Sequence, residues 1–244
     1  MLQRDELKQM LHESAKKIAE LITEEKVQEN RLESLEAQQQ HLQYEIEKQV
    51  VDTENKMYEG LQTCILALKE CQDLPISYDN VVIELLKCME VINSVDSLSK
   101  VGELLLSGTS FKSSLNISDN CMRSLYLGAE NIFNNKEYEK AEKAFFALCS
   151  IDPTEFVYWI GLGHSAFQNK NYQQAINAYC MASALYPEDP WPHIWAANTF
   201  EEEKEYEDAK MAIGEALSIE KAKMPKNQEL IQSLEERFQN IKVA

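Results

Sequence analysis

The chain has 244 residues, 44% of them hydrophobic and 27% charged, with a formal net charge of −17. That size supports one or two domains with a real core. The acidic balance excludes nucleic acid, whose phosphates need a basic stripe, and adsorption to an anionic membrane surface.

Seven glycines and six prolines suit long helices and few loops. The opening stretch MLQRDELKQM is charged and has no apolar centre, so no secretory signal is expected. No run approaches the ~18 apolar residues of a membrane span, which predicts a cytoplasmic protein. Cys64, Cys71, Cys88, Cys121, Cys149 and Cys180 sit singly at helical apolar positions, without a CxxC pair. They are expected to be reduced core thiols.

Residues 1–56 contain no glycine or proline and read as one coiled-coil helix. Leu7, Leu11, Ile18, Leu21, Leu32, Leu35, Leu42 and Ile46 follow spacings of three and four, interrupted at Ser14, Glu25, Gln28 and Gln39. Such a seam predicts self-association, an intramolecular coiled coil, or docking of another helical partner. Residues 57–95 read as a helical hairpin. One stripe is Met57, Leu61, Cys64, Ile65 and Leu68; the other is Val81, Leu85, Cys88, Met89, Ile92 and Val95, with Pro75 at the break. Residues 96–118 are serine-rich but hold the apolar stretch Val101-Gly102-Glu103-Leu104-Leu105-Leu106. They predict a linker with a short docking helix, ending at Ser118 or Asp119 as the cap of the next helix.

Residues 119–224 repeat with a period of 34. Ala129, Gly163 and Ala197 align, as do Tyr138, Tyr172 and Tyr206, then Ala141, Ala175 and Ala209. Phe145, Tyr179 and Ile213 follow, and Pro153 and Pro187 close the first two copies. Each copy holds two apolar stretches around a polar turn, with small residues where two helices must cross. This period and layout are those of tetratricopeptide repeats, so the predicted fold is all-α, a solenoid of three helical pairs. Residues 225–244 are expected to cap it, with Pro225 restarting a helix whose stripe is Leu230, Leu234, Phe238 and Ile241.

No enzyme and no cofactor is predicted. His12, His41, His164 and His193 form no HExxH and stand at no zinc-ligand spacing from a cysteine, so no metal site is expected. Gly161-Leu162-Gly163 is a lone GxG that belongs to repeat packing. The acidic run from Glu201 to Asp208 lacks the calcium-loop pattern and reads as a solvated turn.

Surface remains as the candidate site. The first helix of each repeat lines the concave side, and its inward positions are the second, fifth, ninth and twelfth of each copy. The first copy gives Arg123, Tyr126, Glu130 and Phe133. The second gives Val157, Ile160, His164 and Phe167, and the third Trp191, Ile194, Asn198 and Glu201. Most are apolar or aromatic, so the groove is either covered by the N-terminal segment or binds a client peptide. Glu130 stands where repeats that grip a C-terminal EEVD carboxylate would need a donor, and would repel one. The predicted client-binding residues are Tyr126, Phe133, Val157, Ile160, His164, Phe167, Trp191, Ile194 and Asn198.

Three stretches carry a resemblance. They are Ser124-Leu125-Tyr126-Leu127-Gly128-Ala129 with Lys136-Glu137-Tyr138-Glu139-Lys140-Ala141; Tyr158-Trp159-Ile160-Gly161-Leu162-Gly163; and Asp189-Pro190-Trp191-Pro192-His193. Together they resemble the SycD/LcrH/IpgC group, the class II chaperones of bacterial type III secretion systems, over about residues 100–224. The resemblance implies a cytosolic chaperone that holds an extended segment of a hydrophobic secreted translocator in its concave groove. The groove pockets would be lined by Tyr126, Phe133, Ile160, His164, Phe167, Trp191 and Asn198. Family members are typically short, whereas here about 95 residues precede the core. A scaffold assembled by the coiled coil, with the repeats as a docking arm, is the other function open to this sequence.

Overall fold

The computed structural model describes residues 35–92 and 108–241, and every regular element among them is helical. Helix α1 spans Leu35–Ala67 and continues into a 3-10 turn at Leu68–Glu70. Helix α2 covers Tyr78–Ile92, and the short α3 covers Phe111–Ser114. The three repeats follow as pairs. They are α4 (Asp119–Asn134) with α5 (Tyr138–Ile151), α6 (Phe156–Gln168) with α7 (Tyr172–Leu185), and α8 (Trp191–Glu203) with α9 (Tyr206–Ala222). Helix α10, Gln228–Asn240, packs on α9.

The turns within the pairs are built alike. Lys136, Lys170 and Lys204 occupy one column of the repeat and all adopt left-handed backbone, with φ of 64°, 62° and 63°. That conformation lets the next N–H reach back to the closing turn of the first helix: Glu137 to Ile132 at 3.2 Å, Asn171 to Ala166 at 2.8 Å, and Glu205 to Phe200 at 2.9 Å. These bonds satisfy carbonyls that the helix end leaves open. Ser118 is the cap of α4, its side chain accepting from the Cys121 N–H at 3.1 Å. Pro225 does not restart the last helix. Asn227 caps it two residues later, because its side-chain oxygen can accept the Leu230 N–H.

Helix α1 runs unbroken through the expected boundary at residues 56 and 57, since nothing there interrupts helical backbone. Its C-terminal half packs on α4 and α5. Two glycines allow this. A Cβ on Gly60 would lie 2.0 Å from the Lys143 carbonyl oxygen, and one on Gly128 would lie 2.8 Å from that of Cys64. Buried Cys64 and Leu68 then join Cys121, Leu125 and Leu148 in one core, with Leu61 and Ile65 half-buried beside them. A buried carboxylate ties the same junction together. Glu142 on α5 pairs with Lys56 at 3.2 Å and accepts from the side-chain amides of Asn169 and Asn171, each at 2.8 Å. A carboxylate removed from water needs such donors to be tolerated.

Val81 and Cys88 on α2 are buried, and Leu85 is half-buried. At the other end of the solenoid, Leu234 and Ile241 close the third repeat, helped by Ile231, whereas Phe238 stays 36% exposed. Cys64, Cys88, Cys121 and Cys149 lie in the core as expected, and burial pushes Cys64 and Cys121 up to about 12. Cys71 is only half-buried, and Cys180 is exposed, facing away from the packed side of α7. The seam residues before Leu35 and the apolar stretch Val101–Leu106 lie outside the described residues.

Gly60 and Gly214 form a matched test. Gly60→Ala sets a methyl group against immovable backbone and should cost ~1–3 kcal/mol in urea denaturation. Gly214→Ala meets only Phe238, at 3.5 Å, an ordinary contact. There the better helix former should add about 0.5–1 kcal/mol. Equal effects at both sites would contradict the backbone approach at Gly60.

Candidate functional site

Three elements hold the inner face in place. The loop entering α6 is fixed by Asp152, which accepts from the Thr154 hydroxyl at 2.7 Å and pairs with Lys112 at 2.9 Å. Burial alone would raise this carboxyl, but the Thr154 bond and the Lys112 charge outweigh it and hold its pKa below the usual range. Asp189 accepts the Trp191 N–H at 3.1 Å and starts α8. The small residues Gly128, Gly163 and Ala197 keep the helices close, with the Tyr179 ring occupying the space left at Gly163.

An apolar cleft of about 270 Å³ opens between α4 and α6. Tyr126, Phe133, Val157, Ile160 and His164 from the predicted set line it, with Glu130 among them. Its floor is Phe145 of α5, whose ring fills the place a side chain at Gly161 would take, 2.3 Å from such a Cβ. Tyr126 meets Phe145 edge-on at 6.1 Å and Tyr158 at 6.0 Å.

Other predicted residues fall elsewhere. Phe167 packs on Tyr172 at 5.8 Å, as Phe133 packs on Tyr138 at 5.5 Å, so both rings also hold their own repeat. Trp191 is 46% exposed at the far rim, 6.0 Å from the Trp195 ring, and Asn198 is half-buried. Ile194 is not on the groove surface. It is buried among Ala209, Ile213 and Leu234, because the capping helix extends the core of the third repeat. Glu201 is engaged by Arg237 of that helix at 2.9 Å, which closes the groove at this end. Phe145, Phe156 and Gly161 line the cleft and were missed. The column Leu127, Gly161, Trp195 carried the signal, since one bare position between two large ones marks space for a ring.

His164 joins the second repeat to the third. Its Nδ1 and the Tyr179 hydroxyl share a hydrogen bond of 2.9 Å, and Trp195 meets its ring edge-on at 4.7 Å. Burial pushes its pKa down, so the imidazole is neutral near pH 7. A second and larger cavity, about 470 Å³, lies where α3 meets the loop before α6. It is polar, and its Lys112 is already paired with Asp119 and Asp152. Among the described residues no group of His, Cys, Asp and Glu could hold a metal ion, and no helix is long and apolar enough to cross a membrane.

No known family profile matches the chain, and no curated protein matches it in sequence. Solved structures do match. A chain of the CopN–Scc3 complex is 26% identical with a TM-score of 0.50, covering 52% of this chain and 75% of that one. A type III secretion system complex from Aeromonas hydrophila is 23% identical with a TM-score of 0.53, covering 58% and 93%. The Yersinia enterocolitica type III secretion translocator chaperone SycD is 25% identical with a TM-score of 0.48, covering 54% and 98%. The first two of these share the stacked helical fold of this chain.

The depressed pKa of His164 gives a pH prediction. A histidine held neutral by the fold stabilises it above the ordinary pKa of about 6.5, and that contribution is lost as pH falls through the lower folded-state value. His193, also pushed down by burial, acts in the same sense. His164→Gln should therefore lose less stability than the wild type between about pH 7 and pH 5, measured by urea denaturation. Identical pH dependence in the two proteins would place His164 in water.

Proposed function

We propose that this chain is a non-catalytic chaperone of a bacterial type III secretion system, acting in the cytoplasm before secretion. It binds an extended segment of a hydrophobic translocator or effector along the concave face of its repeats and keeps it soluble. The observation that carries this reading is the apolar cleft between α4 and α6, rimmed by aromatic rings and left open by the described chain. The likeness to the CopN–Scc3 complex supports it. An apolar side chain of the client would enter between Tyr126 and Ile160 and rest on Phe145, while Trp191 offers a second contact at the far rim. Pockets that take spaced side chains of an extended peptide suit a client that is unfolded until it is exported.

Co-expression with a translocator of the same secretion system tests this. The wild-type chain should keep the translocator in the soluble fraction as a stable complex. Tyr126→Ala and Phe133→Ala, in the cleft, should each weaken it by about tenfold or more, since central aromatic anchors carry a large share of such binding, and Phe167→Ala, outside the cleft, should weaken it less. Met211→Gln, at a position 66% exposed on α9, should leave binding unchanged. Because Phe133 and Phe167 also pack on tyrosines of their own repeat, thermal melts must show each variant folded. Full affinity in folded groove variants would refute the reading and favour a scaffold.

A further inference from the structure

We propose that the cleft selects client segments carrying a lysine or arginine beside the apolar anchor, and that Glu130 is the residue that reads this charge. The proposal rests on the groove being the client site and adds a rule for which segments it takes.

Glu130 stands at the ninth position of the first repeat, half-buried, on the wall of an otherwise apolar cleft. Among the described residues its one side-chain hydrogen bond is from the Tyr126 hydroxyl, 3.5 Å from Oε1, at the limit of a hydrogen bond. Among the described residues no lysine or arginine comes within ion-pair distance of it. Arg123, two turns earlier on α4, is exposed and does not reach it. On the facing wall His164 is held neutral and supplies no charge.

The other inward or buried carboxylates are treated differently. Glu142 has Lys56, Asp152 has Lys112, Glu220 has Lys223, and Glu201 at the end of the groove has Arg237. Within this set and among the described residues, Glu130 has no cation, and the cleft is where one could arrive. The phenol of Tyr126 is pushed up by burial and then by the neighbouring Glu130. A client ammonium or guanidinium seated there would remove the cost of a half-desolvated carboxylate and gain a charge-assisted hydrogen bond. A client with an acidic residue at that place would be repelled, which is selection by charge as much as by fit. The net charge of −17 draws basic segments toward the chain from further away.

The test uses synthetic peptides of alternating Leu and Ser, identical except for one Lys, one Ser or one Glu beside the central Leu. Each is titrated into the full chain and followed by fluorescence anisotropy. The Lys peptide should bind about threefold to tenfold more tightly than the Ser peptide, and the Glu peptide more weakly than either. In Glu130→Gln, which keeps the shape and the contact with Tyr126, the Lys-to-Ser ratio should fall to near one. Added salt should shrink the ratio in the wild type. Equal binding of the three peptides to the wild type, or an unchanged ratio in Glu130→Gln, would overturn the charge rule while leaving the groove reading intact. No binding of any peptide to the wild type would overturn both.

Discussion

The first repeat is completed by a helix that precedes it. Helix α1 lies on α4 and α5 with backbone nearly touching backbone, at Gly60 against Lys143 and at Gly128 against Cys64. A stack of repeats has two apolar ends, and each needs a cover. At one end α1 brings Cys64 and Leu68 into the core, and at the other α10 brings Leu234 and Ile241. The covers differ in kind. Helix α10 is attached by side-chain packing and the Arg237–Glu201 pair. Helix α1 is attached so closely that any side chain at Gly60 would displace it. The concave face inherits its geometry from this seat, because α4, which forms one wall of the cleft, is held between α1 and α5.

The inner face is smaller than the repeat pattern alone suggests. Columns that point inward are shared among three uses. Some side chains brace their own repeat, as Phe133 and Phe167 do against Tyr138 and Tyr172. Others are taken by the cap, as Ile194 and Glu201 are. Tyr126, Val157, Ile160 and His164, together with Phe133 in a second role, face the cleft between α4 and α6, with Trp191 as an outlying ring. This division leaves less apolar surface open on the inner face than the inward positions alone would suggest.

The repeat register was legible because its determinants are local and recur. A small residue at each crossing, a tyrosine opening each second helix and a polar turn leave the same trace three times. The seat of α1 was not legible. Gly60 is a single glycine in a polar helix, and its meaning depends on a carbonyl 83 positions away in sequence (Lys143) that no local pattern announces. The expected boundary at residue 56 separates two apolar stripes, but helical backbone responds to breakers and caps, and none is present there. In the site, Tyr126, Val157 and Ile160 were found from periodicity. Phe145 was not, since it belongs to a second helix and reaches the cleft only because Gly161 leaves room. Ile194 was misplaced because periodicity gives direction along one helix and cannot tell which neighbour covers it.

The pairing of Lys56 with Glu142 spans 86 positions of sequence. A ribosome adding about 5–20 residues per second therefore releases the Lys56 side of this contact roughly 4 to 17 seconds before its partner. Asn169 and Asn171, which complete the shell around Glu142, emerge later still. During that interval α1 has no first repeat to lie on. Its length and its charged, glutamine-rich surface let it wait in water as a separate helix or coil. The nascent chain thus meets early, and on its own behalf, the problem of keeping an unfinished segment from sticking before its partner exists.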